Sequence, residues 1–255
     1  MPGRRPGDTA QVNGLAGRVA LVTGAGRRVG RAIALALAQR GMRVVVHFSG
    51  SEEGAADTVA QILAAGGTAS AVRADLTSVA QAERLVDEVI AAPGALAVLV
   101  NSAAVMIRTP VGNTSVADWD AMHTLNVRAP YFLAQRAAPA LRAARGSIVN
   151  IADLAAFESW PAYVPHAMTK AAVVQMTRGL ARALAPEVRV NAIAPGVDLL
   201  PEGWTEADAE RLRGTTPLGR LGAPEDVAQA VLYLLDAEYV TGETIRVDGG
   251  RHIRT

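Results

Sequence analysis

The 255-residue chain has no cysteine, which excludes a disulfide framework and any thiolate metal site and suits a cytoplasmic protein. It also lacks a strong charge. Its 25 Lys and Arg against 24 Asp and Glu leave a net +1, too little to draw nucleic acid or an anionic membrane as partner. No apolar run approaches the roughly 18 residues of a membrane span. Residues 1–14, MPGRRPGDTAQVNG, carry two arginines but no apolar h-region, so they read as a disordered tail rather than a signal peptide. Aromatics are scarce, with three Trp, four Tyr and three Phe. What is abundant is apolar aliphatic sequence: half the chain is hydrophobic and 19% is charged, enough for one large core.

That apolar content is divided into short runs separated by longer Ala-rich helical stretches. The runs at 18–23, 43–48, 68–73, 96–100, 147–151, 188–193 and 244–248 are short, β-branched and not alternating, as expected of strands covered on both faces. Strand and helix alternate over nearly the whole chain. This pattern predicts a single α/β domain over 15–255, a doubly wound Rossmann fold with a mainly parallel seven-stranded sheet. One long helical segment is expected near 115–143. Residues 197–223 are rich in Gly and Pro around one helical patch, EADAERLR, and read as a lid over a site.

TGAGRRVG at 23–30 follows the first strand and opens the first helix. Gly24 permits a tight turn, Gly26 lets the backbone approach a phosphate, and Gly30 allows close helix–sheet packing, with the helix N-terminus favouring an anion. The spacing is one residue longer than the usual dinucleotide fingerprint. At the end of the second strand, NAD sites usually carry an acid that grips the ribose 2′-hydroxyl. Here the strand ends HFSGS. Ser49 and Ser51 as donors, with Arg27 and Arg28 as cations, suit a 2′-phosphate, so NADP(H) is the expected cofactor.

YVPHAMTK at 163–170 sets His166 and Lys170 four apart, on one face of a helix that Pro165 would start. Tyr163 falls one turn too early to share that face. With TGAGRRVG, Asp75 after the third strand, NSAA at 101–104, Asn126 and PG at 195–196, Lys170 completes an ordered set that resembles the short-chain dehydrogenase/reductase family over about residues 15–252. The resemblance implies a dinucleotide groove formed by Gly24, Gly26, Arg27, Arg28, Val29, Gly30, Ser49 and Ser51. It implies Asp75 and Leu76 at the adenine, Asn101, Ser102 and Ala103 by the adenosine ribose, and Lys170 on the nicotinamide ribose. Asn126 would hold a water in a proton relay. Pro195, Gly196 and Val197 would flank the nicotinamide, and 197–216 would close over a small-molecule substrate. The family also implies a homodimer or homotetramer built through the long helices.

Three positions depart from the family pattern. Arg28 stands for a glycine and Asp153 for the serine after the fifth strand, and in both the chain resembles the pteridine reductases. His166 stands where the catalytic tyrosine belongs, a change those reductases do not share. An imidazolium is a useful acid, but a lysine cation beside it opposes its charge while a carboxylate at Asp153 favours it. Asp153 is the alternative donor if it stays protonated. Phe157, Trp160 and Tyr163, with Trp204 on the lid, could stack on a flat heterocycle or merely pack. Two readings follow: an NADPH-dependent reductase of a C=O or C=N bond, with pteridine-like heterocycles leading, or a dinucleotide-binding protein with little turnover.

Overall fold

The computed structural model describes residues 14–92, 94–196 and 205–253. Seven strands form one sheet: β1 (Val19–Val22), β2 (Arg43–Phe48), β3 (Thr68–Arg73), β4 (Leu96–Asn101), β5 (Ser147–Ile151), β6 (Arg189–Pro195) and β7 (Thr244–Val247). Their order is β3-β2-β1-β4-β5-β6-β7, and every pairing is parallel. The crossovers carry α1 (Arg28–Gln39), α2 (Glu52–Ala64), α3 (Val79–Ala91), α4 (Val116–His123), α5 (Ala129–Ala144), α6 (Val164–Leu184), α7 (Glu206–Arg213) and α8 (Pro224–Asp236). The chain winds outward from β1 in both directions, so the loops leaving β1 and β4 diverge and open a crevice at the carboxyl ends of the strands.

The core has two layers because side chains alternate across each strand. Ala20 and Val22 of β1 pack with Ile33 and Leu37 of α1 and with Val231 and Leu234 of α8. Val19 and Leu21 face the other way, toward Leu85 of α3, Leu133 and Leu141 of α5 and Leu184 of α6. Coverage on both faces holds for these interior strands. It fails at both edges: Thr68, Ser70, Ala71 and Arg73 of β3 are exposed, and no residue of β7 is buried. β3 is an edge strand with a neighbour on one side only, and its small residues offer little to bury.

The long helical segment near 115–143 is a rod interrupted by a π-helical turn at Thr124–Arg128 between α4 and α5. The wider turn accommodates one extra residue, a device common at functional sites, and Asn126 lies within it, buried. Of the expected lid, residues 205–223 are described. There, α7 opens with a capping box between Thr205 and Asp208, and the Leu218 amide donates to the Gly249 carbonyl.

Helix α2 approaches the loop before α1 so closely that a side chain would not fit between them. A Cβ on Gly54 would sit 2.3 Å from the Gly26 carbonyl oxygen, whereas one on Gly50 would meet nothing within 4 Å. We expect Gly54→Ala to lower stability by about 1–3 kcal/mol through overpacking and Gly50→Ala to leave it nearly unchanged. Scanning calorimetry of the two variants tests this, and equal melting temperatures would contradict it.

Candidate active site

A groove of about 610 Å³ runs along the carboxyl ends of the strands. Its outer wall carries Gly24, the stretch from Gly26 to Gly30 that includes Arg27, Arg28 and Val29, and then Ser49, Ser51, Asp75 and Leu76. Ser102 and Ala103 follow, and the inner end is formed by Asp153, His166, Lys170, Pro195 and Gly196. Val197 and Trp204 lie outside the described residues.

The outer end combines open helix amides with positive side chains. Arg27 precedes α1 without a side-chain cap, and the first turn holds no acid, so side chains do not consume the leading amides. Arg28 adopts a left-handed φ of +52°, the conformation a glycine would take without strain. No carboxylate lines the groove between the end of β2 and Ser51. Instead Arg73, on β3, donates Nε to the Ser49 carbonyl at 3.2 Å and adds a third cation to that edge. Asp75 accepts from both the amide and the hydroxyl of Thr77, which holds its carboxyl below the usual range.

Two residues that sequence reasoning passed over hold this loop in place. The Thr23 hydroxyl accepts the amides of Ser102 and Ala103, joining the end of β1 to the end of β4. His47, 2% exposed, accepts the Gly24 amide on Nδ1 at 3.1 Å, while its Nε2 meets the Ala74 carbonyl at 3.0 Å. A polar residue inside an otherwise apolar strand was the only available signal.

At the inner end, α6 begins at Val164 with Tyr163 as the residue before it, and Pro165 in the first turn. One helical period then sets His166 and Lys170 on the groove. Lys170 is the only lysine in the chain. It is 4% exposed, its Nζ donates to the Ile151 carbonyl at 2.9 Å, and burial pushes its ammonium below the usual lysine range while Asp153 opposes that shift. His166 is 2% exposed, and no protein group hydrogen-bonds either ring nitrogen. Asp153 caps the 3₁₀ turn after β5, accepting the Ala155 amide on Oδ1 at 2.7 Å. This leaves Oδ2 directed at His166 Nε2, 3.6 Å away, an ion-pair distance rather than a hydrogen bond.

Asn126 and Asn101 lie behind the groove instead of on it. The Asn126 side chain spends both its donors: it donates to the Val105 carbonyl and the Thr169 hydroxyl, and its Oδ1 accepts from the Val105 amide. Asn101 donates to Asn150 across β4 and β5. Both asparagines, with Lys170, wall a cavity of about 10 Å³, the size for one water. The three aromatics are elsewhere. Arg246 lies 4.3 Å over the Phe157 ring and Arg251 5.6 Å over Trp160, which also donates to Glu158. Tyr163 packs edge-on against Trp160, and none of the three lines the groove. His123 stacks on Trp119 and His252 bonds Asp248, both away from it. Among the described residues, no group of three His, Asp or Glu could hold a metal, and no helix is long and apolar enough to cross a membrane.

Because Lys170 is unique, isotope-labelled lysine yields a single side-chain signal. We expect its Nζ to titrate below the ordinary lysine value of about 10.4. Asp153→Asn removes the opposing carboxylate and should lower the value further. A titration at or above the ordinary value would contradict the burial argument.

Comparison with known proteins places this geometry in context. Residues 24–252 match the sequence family described as enoyl-(acyl carrier protein) reductase. The chain is 40% identical over 245 residues to the protein named ketoacyl reductase 2 of the granaticin polyketide synthase of Streptomyces violaceoruber, covering 92% of this chain and 96% of that one. It is 37% identical over 243 residues to a 3-oxoacyl-(acyl-carrier-protein) reductase of Synechocystis, covering 92% and 97%. Among solved structures, a gluconate 5-dehydrogenase from Burkholderia cenocepacia in complex with NADP and tartrate superposes with a TM-score of 0.88 at 31% identity, covering 94% of this chain and 97% of that one.

Proposed function

The chain belongs to the short-chain dehydrogenase/reductase family of oxidoreductases, and from that premise we propose that it is an NADP(H)-dependent reductase of a small-molecule C=O or C=N bond that uses His166 as proton donor. The observation that carries this reading is the His166 imidazole, buried without a protein hydrogen-bond partner and facing Asp153 Oδ2 at 3.6 Å. A buried polar ring left without partners costs free energy, typically about 1–3 kcal/mol, and such a group is kept where an incoming molecule completes it.

The groove residues fit a phosphorylated dinucleotide. The α1 amides would take the pyrophosphate, Arg27, Arg28, Ser49 and Ser51 the 2′-phosphate, and Lys170 the nicotinamide ribose. When bound, the reduced nicotinamide supplies a hydride to the electrophilic carbon. His166 then delivers a proton to the neighbouring heteroatom. Asp153 Oδ2 stabilises the positive charge that His166 must carry as an acid. The water-sized cavity between Asn126 and Lys170 is where a relay could draw a replacement proton.

The relatives' names put ketoacyl compounds at the head of the substrate list. Arg28 and Asp153, the two departures shared with pteridine reductases, keep a pteridine-like heterocycle on it. A carboxylate at 153 favours substrates that present N–H donors over those that form a simple alkoxide. Residues 205–223 with the segment before them would close over the substrate. A homodimer or homotetramer in the cytoplasm belongs to the same reading, supported by the exposed apolar side chains of Tyr131, Val164 and Met168 on α5 and α6 and the absence of cysteine.

The test is NADPH oxidation with a panel of 3-oxoacyl thioesters, cyclic ketones, quinones and pterins. We expect His166→Phe to lose roughly 10²–10⁴-fold in turnover while binding NADPH within about threefold of wild type. The hydride-step rate should fall as pH rises and the imidazolium is lost, and Asp153→Ala should change that dependence. A pH-flat rate would exclude His166 as donor. If wild type binds NADPH but reduces nothing while His166→Tyr does, the chain is a dinucleotide-binding protein instead.

The cofactor assignment has its own check. Arg28→Gly removes a cation from a left-handed residue, so it should reduce the preference for NADPH over NADH roughly tenfold. Calorimetric titration with both nucleotides measures the ratio. An unchanged preference would contradict the role given to Arg28.

A further inference from the structure

His47 takes no part in the proton transfer, yet it is the one side chain that grips the glycine-rich loop from the second strand. Its backbone carbonyl accepts the Ala25 amide at 3.0 Å, and its Nδ1 accepts the Gly24 amide at 3.1 Å. Two consecutive loop amides therefore end on one residue. Gly24 holds a φ of +66°, and a Cβ there would sit 3.0 Å from Ala103 Cα. The loop is pinned between β2 and the end of β4 with little room to move.

These bonds specify the protonation state of the ring. Nδ1 faces an N–H donor and must carry a lone pair, whereas Nε2 faces the Ala74 carbonyl at 3.0 Å and must carry the hydrogen. Only the neutral Nε2–H tautomer satisfies both. A proton on Nδ1 would set two donors against each other, and the Gly24 amide would lose its acceptor.

We infer that His47 is a positioning residue for dinucleotide binding, whose neutral tautomer sets the Gly24–Gly26 turn and whose protonation releases it, so that cofactor affinity falls in mild acid. The inference rests on the groove being the dinucleotide site but not on His166 or on any substrate. Burial pushes the His47 imidazole below the usual histidine range, with the Ala74 carbonyl working against that shift. The charged groups on the surrounding elements are Arg73 at the end of β3 and Asp75 just beyond it, Arg27, Arg28 and Arg31 at the start of α1, and Glu52 and Glu53 at the start of α2. Arg73 is bound to the Ser49 carbonyl and Asp75 to Thr77; β1 contributes no charge. A base whose folded-state value is lowered stays neutral down to that value. Affinity should therefore be complete above about pH 6.5 and fall as pH drops through the lower, folded-state value.

The experiment compares NADPH and NADH binding from pH 8 to pH 5 in wild type, His47→Asn and His47→Leu. NADH is included because the 2′-phosphate of NADPH itself titrates near pH ~6. Wild-type affinity for both nucleotides should fall progressively as the ring takes up its proton, toward the loss of about tenfold expected for one buried hydrogen bond. His47→Asn keeps an acceptor that does not titrate, so it should bind within about threefold of wild type at pH 7.5 and stay flat for NADH. His47→Leu should bind about tenfold more weakly throughout. A merely structural histidine would shift melting temperature but leave the pH profiles of wild type and His47→Asn parallel, and that result would overturn the proposal. So would ¹⁵N spectra of the ligand-free wild type showing an Nδ1–H tautomer, a measurement that needs no variant. Failure of every form to bind either nucleotide at any pH would instead refute the dinucleotide groove itself.

Discussion

The position of β1 between β2 and β4 is the constraint on which the rest of the molecule depends. A parallel sheet needs a crossover after every strand, and winding outward from one central strand in both directions sends the loops after β1 and β4 apart. That divergence opens the groove. It also forces the glycine-rich loop to run beneath the ends of β2 and β4, where Thr23 and His47 can bind it. The close approach at Gly54 and Gly26 then sets how near α2 comes to the same loop.

At the inner end the governing physics is the cost of burying charge. One lysine and one histidine sit on the same helical face, both almost fully buried, in a chain whose other 24 Lys and Arg residues are all arginines. Arginine cannot surrender its proton, whereas a buried lysine can. A single carboxylate, Asp153, faces both groups. Its orientation is not free, because its other oxygen is committed to the Ala155 amide. The placement of that carboxylate against His166 is thus coupled to a local turn after β5.

Much of the fold was legible in the sequence because it follows from short-range pattern. Seven apolar runs became seven strands, within a residue or two at most boundaries, since an apolar β-branched run flanked by amphipathic helices has few alternatives. β3 and β7 were misjudged as covered on both faces: run composition does not reveal which strand ends at a sheet edge. The π turn around Asn126 left no mark in helical periodicity. His47 was passed over because a lone polar residue in a strand has no partner visible along the chain; Gly24 and Ala74 reach it only through the sheet register. The aromatics at 157–163 had an apolar signature suited equally to stacking and packing, and Arg246 and Arg251, far along the chain, settled where the rings lie.

By itself the sequence determined what depends on spacing and residue type. Helical period sets His166 and Lys170 on one face, a glycine stands at 30 where the first helix must pack closely on the sheet, and no acid falls between the second strand and Ser51. Only the tertiary structure decided which groups meet: Asp153 Oδ2 with His166 at 3.6 Å, His47 with the Gly24 amide, and Phe157 with Arg246 rather than the groove. The division has a physical reason. Backbone periodicity acts within a few residues, whereas a hydrogen bond or ion pair requires a placement within a few ångström that the packing of distant segments alone supplies.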